Sequence, residues 1–122
     1  MALQQDVIQV SQWITACQVG EIADRKSIVI ELNGSDVAVF NLGGAYFAIE
    51  DVCTHDGGDL SGGWVEGNRI VCPRHLAEFS IQTGAALKAP AYEGVHTFPV
   101  RVRDGAIEIR DDREIDATAS CA

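Results

Sequence analysis

Residues 27–50, SIVIELNGSDVAVFNLGGAYFAIE, are rich in β-branched apolar side chains, follow a period of two and break twice at glycine-containing pairs. The pairs Asn33-Gly34 and Gly43-Gly44 supply residues that accept the left-handed backbone of tight turns. A period of two is typical of a strand that buries one face. The stretch therefore predicts a meander of three antiparallel strands, Ser27–Leu32, Asp36–Asn41 and Ala45–Glu50.

The same pattern returns near the C-terminus, where Phe98–Arg103 and Ala106–Arg110 alternate on either side of Asp104-Gly105. In both segments the apolar set faces one way and the charged set the other, as a half-solvated antiparallel sheet requires. The predicted fold class is therefore all-β. A helix is predicted only over Ser11–Cys17.

The middle of the chain, Asp51–Ala91, differs from both ends because it is rich in glycine and carries two cysteines and two histidines. Only Arg69–Val71 and Glu78–Ile81 are predicted as short strands within it. A segment of this kind builds little core of its own, so another interaction must order it. We predict one domain over residues 1–115, with this insertion at about 51–91, and a loosely ordered tail over residues 116–122.

The amino-acid composition and net charge exclude some classes of function. The chain has 122 residues, 47% of them hydrophobic, and 18 acidic against 9 basic side chains give a net charge of −9. This charge argues against nucleic acid, because phosphate binding needs clustered Lys and Arg. No signal peptide and no apolar run long enough to span a membrane is visible, so we expect a cytoplasmic protein with reduced thiols.

Two short motifs carry the chemistry: Cys53-Thr54-His55 and Cys72-Pro73-Arg74-His75. Two thiolates with two imidazoles can bind zinc or an iron–sulfur cluster. Structural zinc sites usually pair like ligands, as C-x₂₋₄-C and H-x₃₋₅-H, whereas each loop here pairs unlike ligands. Two such facing loops suit two metals, one held by Cys53 and Cys72 and the other by His55 and His75. That is the ligand set of a Rieske 2Fe–2S centre.

Over roughly residues 6–111 the chain resembles the Rieske-type ferredoxins, the small soluble electron carriers of ring-hydroxylating dioxygenase systems. The resemblance rests on the two ligand motifs, the later Thr83-Gly84 turn and Pro90. It implies a Rieske fold, in which an antiparallel β-sandwich base carries a small, loop-rich cluster-binding subdomain. A third loop containing a proline covers the cluster in that family, and Pro90 stands at the matching place.

The resemblance implies a one-electron carrier with one 2Fe–2S cluster and no substrate site of its own. Its partners would be a flavoprotein reductase and a terminal oxygenase that hydroxylates aromatic rings, and the carrier would be a monomer. With His55 and His75 assigned, only His96 remains, so the two-histidine, one-carboxylate iron site of an oxygenase cannot be built. The alternatives are a Rieske-fold small subunit or accessory protein of another redox or cluster-assembly system, and a zinc-stabilised interaction module.

The reduction potential is expected to be low. High-potential Rieske proteins carry a disulfide between the ligand loops, and the matching places here are Gly58 and Arg74. They also carry hydroxyl donors where this chain has Ala77 and Phe79. Donors aimed at sulfur stabilise the added electron, so we predict a potential of roughly −150 mV, at the low end of the Rieske range.

Charge after the first motif and the residue after the second motif bear on the same site. Asp56 and Asp59 would lower the potential further if they lie close to it. The family usually has glycine after the second histidine, where this chain has Leu76, so its partner specificity could differ. Arg74 is expected to face solvent, either free or in contact with a partner.

The remaining candidates are expected to be structural. We interpret Cys17 and Cys121 as free thiols, although a disulfide between them stays open. We interpret His96 as a surface histidine and Trp64 as packing support for the loops. The acidic surface is predicted to dock on basic patches of redox partners.

Overall fold

Three antiparallel sheets make up the computed structural model, which describes residues 12–113. Within that range the chain forms eleven strands and no helix, so none of it provides a helix that could cross a membrane. The strands are β1 Trp13–Gln18, β2 Ser27–Leu32, β3 Ser35–Leu42, β4 Ala45–Glu50, β5 Trp64–Glu66, β6 Arg69–Val71, β7 Glu78–Ser80, β8 Ala86–Lys88, β9 Thr97–Phe98, β10 Val100–Arg103 and β11 Ala106–Arg110.

Two of the sheets form the base. One has the strand order β1-β11-β10, and the other has the order β2-β3-β4-β9. The meander predicted from residues 27–50 is present, with Ile28 opposite Val39 and Phe40 opposite Phe47. Asn33 has a φ of 50° and Gly34 a φ of 88°, the left-handed pair that a tight hairpin turn needs. The all-β prediction is confirmed.

Strand β3 is buried on both faces and separates two hydrophobic cores. Val37 and Val39 enter the base core, together with Ile107 and Ile109 of β11. The alternate side chains of β3 enter the cluster-side core, whose buried members are Ala38, Phe40, Ile49, Cys53, Leu60, Ile70, Cys72, Ala77, Phe79, Ile81, Ala91 and Val95. One strand therefore supports the base and the ligand loops at once.

The third sheet, with the order β5-β6-β7-β8, lies within the insertion predicted at residues 51–91. Strands β6 and β7 were predicted, but β5 and β8 were not. All four strands of this sheet have only three residues, too few to show a period of two, so length does not separate the missed strands from the predicted ones. Phe79, on β7, is fully buried and anchors this small sheet in the cluster-side core.

Two sequence predictions need correction. The helix expected over Ser11–Cys17 is wrong, because Trp13–Gln18 form β1 and pair with β11, with a register shift between Thr15 and Cys17. That irregularity hides the period of two in the sequence. The single strand predicted over Phe98–Arg103 is two strands in different sheets, since Pro99 has no N–H to continue a ladder. The predicted tail, residues 116–122, lies outside the described residues.

Candidate metal centre

The two ligand loops share one backbone design. In the first, the N–H of Cys53 donates to Gly58 O (2.7 Å) and the N–H of Gly57 donates to Cys53 O (2.7 Å). In the second, the N–H of Cys72 donates to the carbonyl five residues on, Ala77 O (2.8 Å), and the residue four positions on donates back to Cys72 O (2.9 Å). Each cysteine therefore begins a tight six-residue loop whose backbone closes on the cysteine itself.

The residue four positions after each cysteine has a left-handed backbone. In the first loop it is Gly57, with a φ of 78°, and in the second it is Leu76, with a φ of 64°. A left-handed backbone costs glycine nothing but costs a branched residue about 1 kcal/mol or more. This explains why glycine is usual at the second position. The side chain of Leu76 is 49% exposed beside the site.

The loops bring the predicted ligands together in two pairs. Cys53 and Cys72 are fully buried free thiols whose sulfurs lie within 4.8 Å of each other. The rings of His55 and His75 are exposed, and they meet edge to face with centroids 5.1 Å apart. The thiols thus face the core and the imidazoles face solvent.

Local charge surrounds this pair of thiols. Burial raises the pKa of the Cys53 thiol, while the backbone N–H groups of Asp56 and His55 act in the opposite direction. The Asp56 carboxylate, within 4.8 Å of both sulfurs, is held by Arg74. That contact is the main reason why the pKa of Asp56 lies well below its usual range and the pKa of Arg74 above its own.

Arg74 bridges the two loops, which corrects the expectation that its side chain is solvated or waits for a partner. Its Nε donates to Asp56 Oδ2 at 2.6 Å, and its Nη2 donates to Asp56 Oδ1 at 3.2 Å and to Asp59 O at 3.0 Å. The negative charge expected from Asp56 is therefore largely compensated in place.

Asp51 braces the return of the first loop. Its buried carboxylate accepts the N–H groups of Leu60 (2.9 Å) and Ser61 (2.7 Å) on Oδ1, and the Ser61 hydroxyl (2.8 Å) on Oδ2. Three hydrogen bonds to one carboxylate offset the free-energy cost of removing it from water. The sequence shows Asp51 only as one acid at the end of a strand.

The predicted third loop lies against the first. Thr54 Oγ1 donates to Glu93 O at 2.6 Å, and the loop is closed by the Val95 N–H, which donates to Gly84 O at 2.8 Å. Gly94 packs so tightly on Gly84 that a Cβ there would lie 2.6 Å from Gly84 O. Pro90 follows a cis peptide bond, and the next residue but one, Tyr92, is 85% exposed.

The arrangement of the donors tests which metal group the loops fit. A tetrahedral zinc ion with bonds of about 2.0–2.3 Å needs all four donors within roughly 4 Å of one another. Among residues 12–113, the only group of three or more potential ligands whose atoms all lie within 4.8 Å is Cys53, Asp56 and Cys72, and neither histidine joins it. Two separate pairs, thiols inside and imidazoles outside, fit a group with two irons better than one zinc ion.

Two other predicted residues, His96 and Trp64, lie outside these loops. His96 Nε2 is 2.7 Å from Asp112 Oδ1 and its ring packs on Phe98, so it is a half-buried histidine with a structural partner. Trp64 is 45% exposed, so the expectation of a packed support is wrong; its Nε1 donates to Glu66 Oε2 at 2.7 Å.

Cys17 is a half-buried free thiol against the base core, and burial, followed by the nearby Glu21, raises its pKa. Cys121 lies beyond the part of the chain that the structure describes. The disulfide left open between these two cysteines is therefore not tested.

Fold and site together define a class: a small all-β protein that presents two thiols and two imidazoles on twin loops. Residues 12–99 match the family model of the Rieske [2Fe-2S] domain. This chain belongs to the family of Rieske [2Fe–2S] domains, whose members bind one Rieske-type cluster.

Curated and solved relatives agree with that membership. The chain is 39% identical over 99 residues to the 3-phenylpropionate/cinnamic acid dioxygenase ferredoxin subunit of Photorhabdus laumondii, covering 80% of this chain and 93% of that protein. It is similar to the Sphingomonas yanoikuyae B1 ferredoxin, with 32% identity and a TM-score of 0.76 over 81% of this chain and 98% of the other. It also matches, at 26% identity and a TM-score of 0.79 over 85% and 97%, a chain in the complex of reduced oxygenase and oxidized ferredoxin of carbazole 1,9a-dioxygenase.

Proposed function

We propose that this protein is a stand-alone one-electron carrier of a multicomponent ring-hydroxylating dioxygenase system, and not an enzyme. In this proposal Cys53 and Cys72 hold one iron of a 2Fe–2S cluster, and His55 and His75 hold the other. The cluster supplies one-electron redox chemistry, with two neutral imidazoles in place of two thiolates, which makes its reduction easier than that of an all-cysteine cluster.

One observation supports the proposal above the others: the buried pair of thiols lies under an exposed pair of imidazoles on loops of the same design. The buried thiols exclude water from the cysteine side. The exposed rings of His55 and His75 offer the electron a short path to the surface, and we propose that they form the docking tip. Leu76, 49% exposed, and Tyr92, 85% exposed, add apolar surface from the second and third loops.

The partners we propose are a flavoprotein reductase that delivers the electron and a terminal oxygenase that receives it. The relatives are components of such systems by name. The net charge of −9 supports docking on basic surfaces, so transfer rates should fall as ionic strength rises. We further propose that the carrier is a cytoplasmic monomer with residues 1–115 as its single domain.

The test is anaerobic purification followed by visible absorbance and EPR spectroscopy of the dithionite-reduced protein. We expect a rhombic 2Fe–2S signal in the wild type and its loss in Cys53→Ser and Cys72→Ser. Cys17→Ser is the matched control, because that thiol packs on the base core and should leave the signal unchanged. A colourless wild type that carries zinc would refute the proposal and favour the interaction module.

A reconstituted assay tests the electron path. His55→Cys and His75→Cys should retain iron but shift the potential downward and slow electron transfer to an oxygenase. His96→Ala is the control, since that ring contacts Asp112 and Phe98 rather than the ligand loops. Unchanged potentials and rates in both cysteine variants would contradict the proposed ligand assignment.

A further inference from the structure

The two ligand loops are joined by one side chain. Arg74, between the ligands of the second loop, donates three hydrogen bonds to the first: two to the Asp56 carboxylate and one to Asp59 O. Paired donation from a guanidinium to a carboxylate is among the strongest polar contacts in proteins and fixes both distance and orientation. Asp56 directly follows the proposed ligand His55, and Arg74 directly precedes the proposed ligand His75.

A backbone hydrogen bond within the first loop also holds the Asp56 carboxylate. The N–H of Gly58 donates to Asp56 Oδ1 at 2.9 Å, which turns the carboxylate back over its own loop. The Asp56 side chain is only 20% exposed and that of Arg74 is 36% exposed, so the pair is partly shielded from water. Shielding and paired donation separate this contact from an ordinary surface ion pair.

Gly58 makes room for the guanidinium. A Cβ on Gly58 would lie 2.6 Å from Cζ, 2.7 Å from Nη2 and 2.8 Å from Nε of Arg74. The guanidinium therefore lies in the space that any side chain at position 58 would fill. Gly58 and Arg74 are also the two places at which the sequence comparison expects the loop-to-loop disulfide of high-potential relatives.

We propose that Arg74 and Asp56 form a loop clasp: a non-covalent cross-link that holds the two ligand loops at the separation the cluster needs. Both are positioning residues, and the clasp rests on the ligand assignment proposed above. The clasp has a second consequence, because it places a positive and a negative charge side by side next to the thiols. Removing either side chain of the clasp therefore loosens the contact between the loops. It also leaves the charge of the remaining side chain uncompensated.

The test compares the rate of cluster loss and the reduction potential in four purified holoproteins: wild type, Arg74→Ala, Asp56→Asn and the double variant. Visible absorbance in the presence of a chelator gives the rate, and protein-film voltammetry gives the potential. We expect each single variant to lose its cluster roughly tenfold faster than the wild type. The double variant should lose its cluster no faster than the single variant with the higher rate of loss. Either single substitution already breaks the Arg74–Asp56 contact, so the second removes nothing more.

Arg101 offers a matched control. Its Nε donates to Glu108 Oε1 at 2.6 Å, and the two side chains are 37% and 18% exposed, close to the exposure of the clasp side chains, although this pair has one hydrogen bond where the clasp has three. This pair lies between β10 and β11 of the base, so Arg101→Ala should keep the wild-type rate and potential. The two clasp variants should instead move the potential in opposite directions: Arg74→Ala down and Asp56→Asn up.

Equal rates of cluster loss in Arg74→Ala, Asp56→Asn and Arg101→Ala would overturn the clasp. If Arg74→Ala cannot be purified with a cluster, the shape-conserving Asp56→Asn decides: a wild-type rate and potential in that variant refute the proposal. A wild type with no 2Fe–2S signal would refute the proposed function itself. The two failures are therefore distinguishable.

Discussion

The hydroxyl of Thr54 donates a 2.6 Å hydrogen bond to the backbone carbonyl of Glu93, and so ties the first ligand loop to the third loop. Thr54 stands between Cys53 and His55, the first two proposed ligands. Ala91 and Val95 anchor the third loop in the cluster-side core, whereas Tyr92, next to Glu93, is 85% exposed. The Thr54 hydroxyl therefore holds the exposed part of that loop against the first ligand loop.

Thr54→Val should release the third loop while preserving shape at the first. We expect a loss of about 1 kcal/mol in the free energy of unfolding, the usual worth of one such hydrogen bond. Amide hydrogen exchange over residues 90–95 should become faster. Thr54→Ser keeps the hydroxyl and should exchange at close to the wild-type rate, and equal exchange in the Val and Ser variants would contradict the tie.

Gly63→Ala should destabilise the third sheet by roughly 3 kcal/mol, because the new methyl group meets backbone that cannot move. A Cβ on Gly63 would lie 1.8 Å from Val71 O, whereas one on the neighbouring Gly62 has no atom within 4 Å. Gly62→Ala should stay within about 0.5 kcal/mol of the wild type. Urea unfolding of both variants measures the difference, and similar midpoints would count against this close approach.

Asp111 should make the free energy of unfolding fall as the pH becomes acidic. The carboxylate is buried, Arg113 holds it with Nε and Nη2 at 2.9 Å, and Asn33 donates to it at 2.9 Å. Arg113 is the main cause that lowers its pKa to about 2. Because the folded pKa lies below the unfolded value of about 3.9, the stabilisation is complete above that pH and disappears as pH falls toward 2.

The difference in unfolding free energy between the wild type and Asp111→Asn should therefore be largest above pH 4. It should shrink by about 2 kcal/mol on going down to pH 2, in urea titrations at several pH values. Asp104→Asn, in the exposed turn before β11, is the control for the loss of a carboxylate outside this contact. A pH-independent difference for Asp111→Asn would show that its carboxylate is not stabilised by folding.

Adding a hydroxyl beside the thiols should raise the reduction potential from the predicted value of roughly −150 mV. Ala77 and Phe79 are fully buried in the cluster-side core, next to Cys72 in sequence or in the same small sheet. A hydrogen bond to sulfur worth about 1–2 kcal/mol in the reduced state corresponds to about 40–80 mV for one electron. Ala77→Ser and Phe79→Tyr test this by voltammetry.

Ala48→Ser provides the control for those variants, because Ala48 is equally buried but belongs to the base core. Its potential should equal that of the wild type. A clearly positive wild-type potential would overturn the low-potential prediction, whatever the variants do.

Leu76→Gly should stabilise the fold and weaken docking. Leu76 has a φ of 64°, so glycine would relieve backbone strain of roughly 1 kcal/mol. The same change removes apolar surface next to His75, so the apparent KM of the oxygenase for the carrier should rise several-fold. Asp104, with a φ of 53° in a turn of the base, is the control: Asp104→Gly relieves similar strain and should leave that KM unchanged.

The sequence predicted the sheet class because alternation and turn residues are local features, as in the hairpin of residues 27–50. The assignment of Cys53, His55, Cys72 and His75 as ligands also rests on local spacing, and it stays a prediction. Sequence reasoning missed contacts between distant segments. Nothing local to Arg74 names Asp56 as its acceptor, and nothing local to Thr54 names Glu93.

The wrong predictions for β1, for the segment at Pro99 and for Trp64 also concern features that a local sequence pattern does not show. In β1 the register shift between Thr15 and Cys17 removes the simple alternation that marks a strand. At Pro99 the chain passes from one sheet to another, which a continuous period cannot show. Trp64 is 45% exposed although its size favours burial, and it lines a surface groove together with Arg25, Ser61 and Val65.

Strand β3 has a consequence for protein engineering. Of the twelve buried members of the cluster-side core, four come from outside residues 51–91: Ala38, Phe40, Ile49 and Val95. A fragment limited to residues 51–91 would expose the faces that these side chains cover, so it should not fold as a peptide. Grafting this centre onto another scaffold therefore requires strands β3 and β4 as well, because their side chains complete the core that supports the ligand loops.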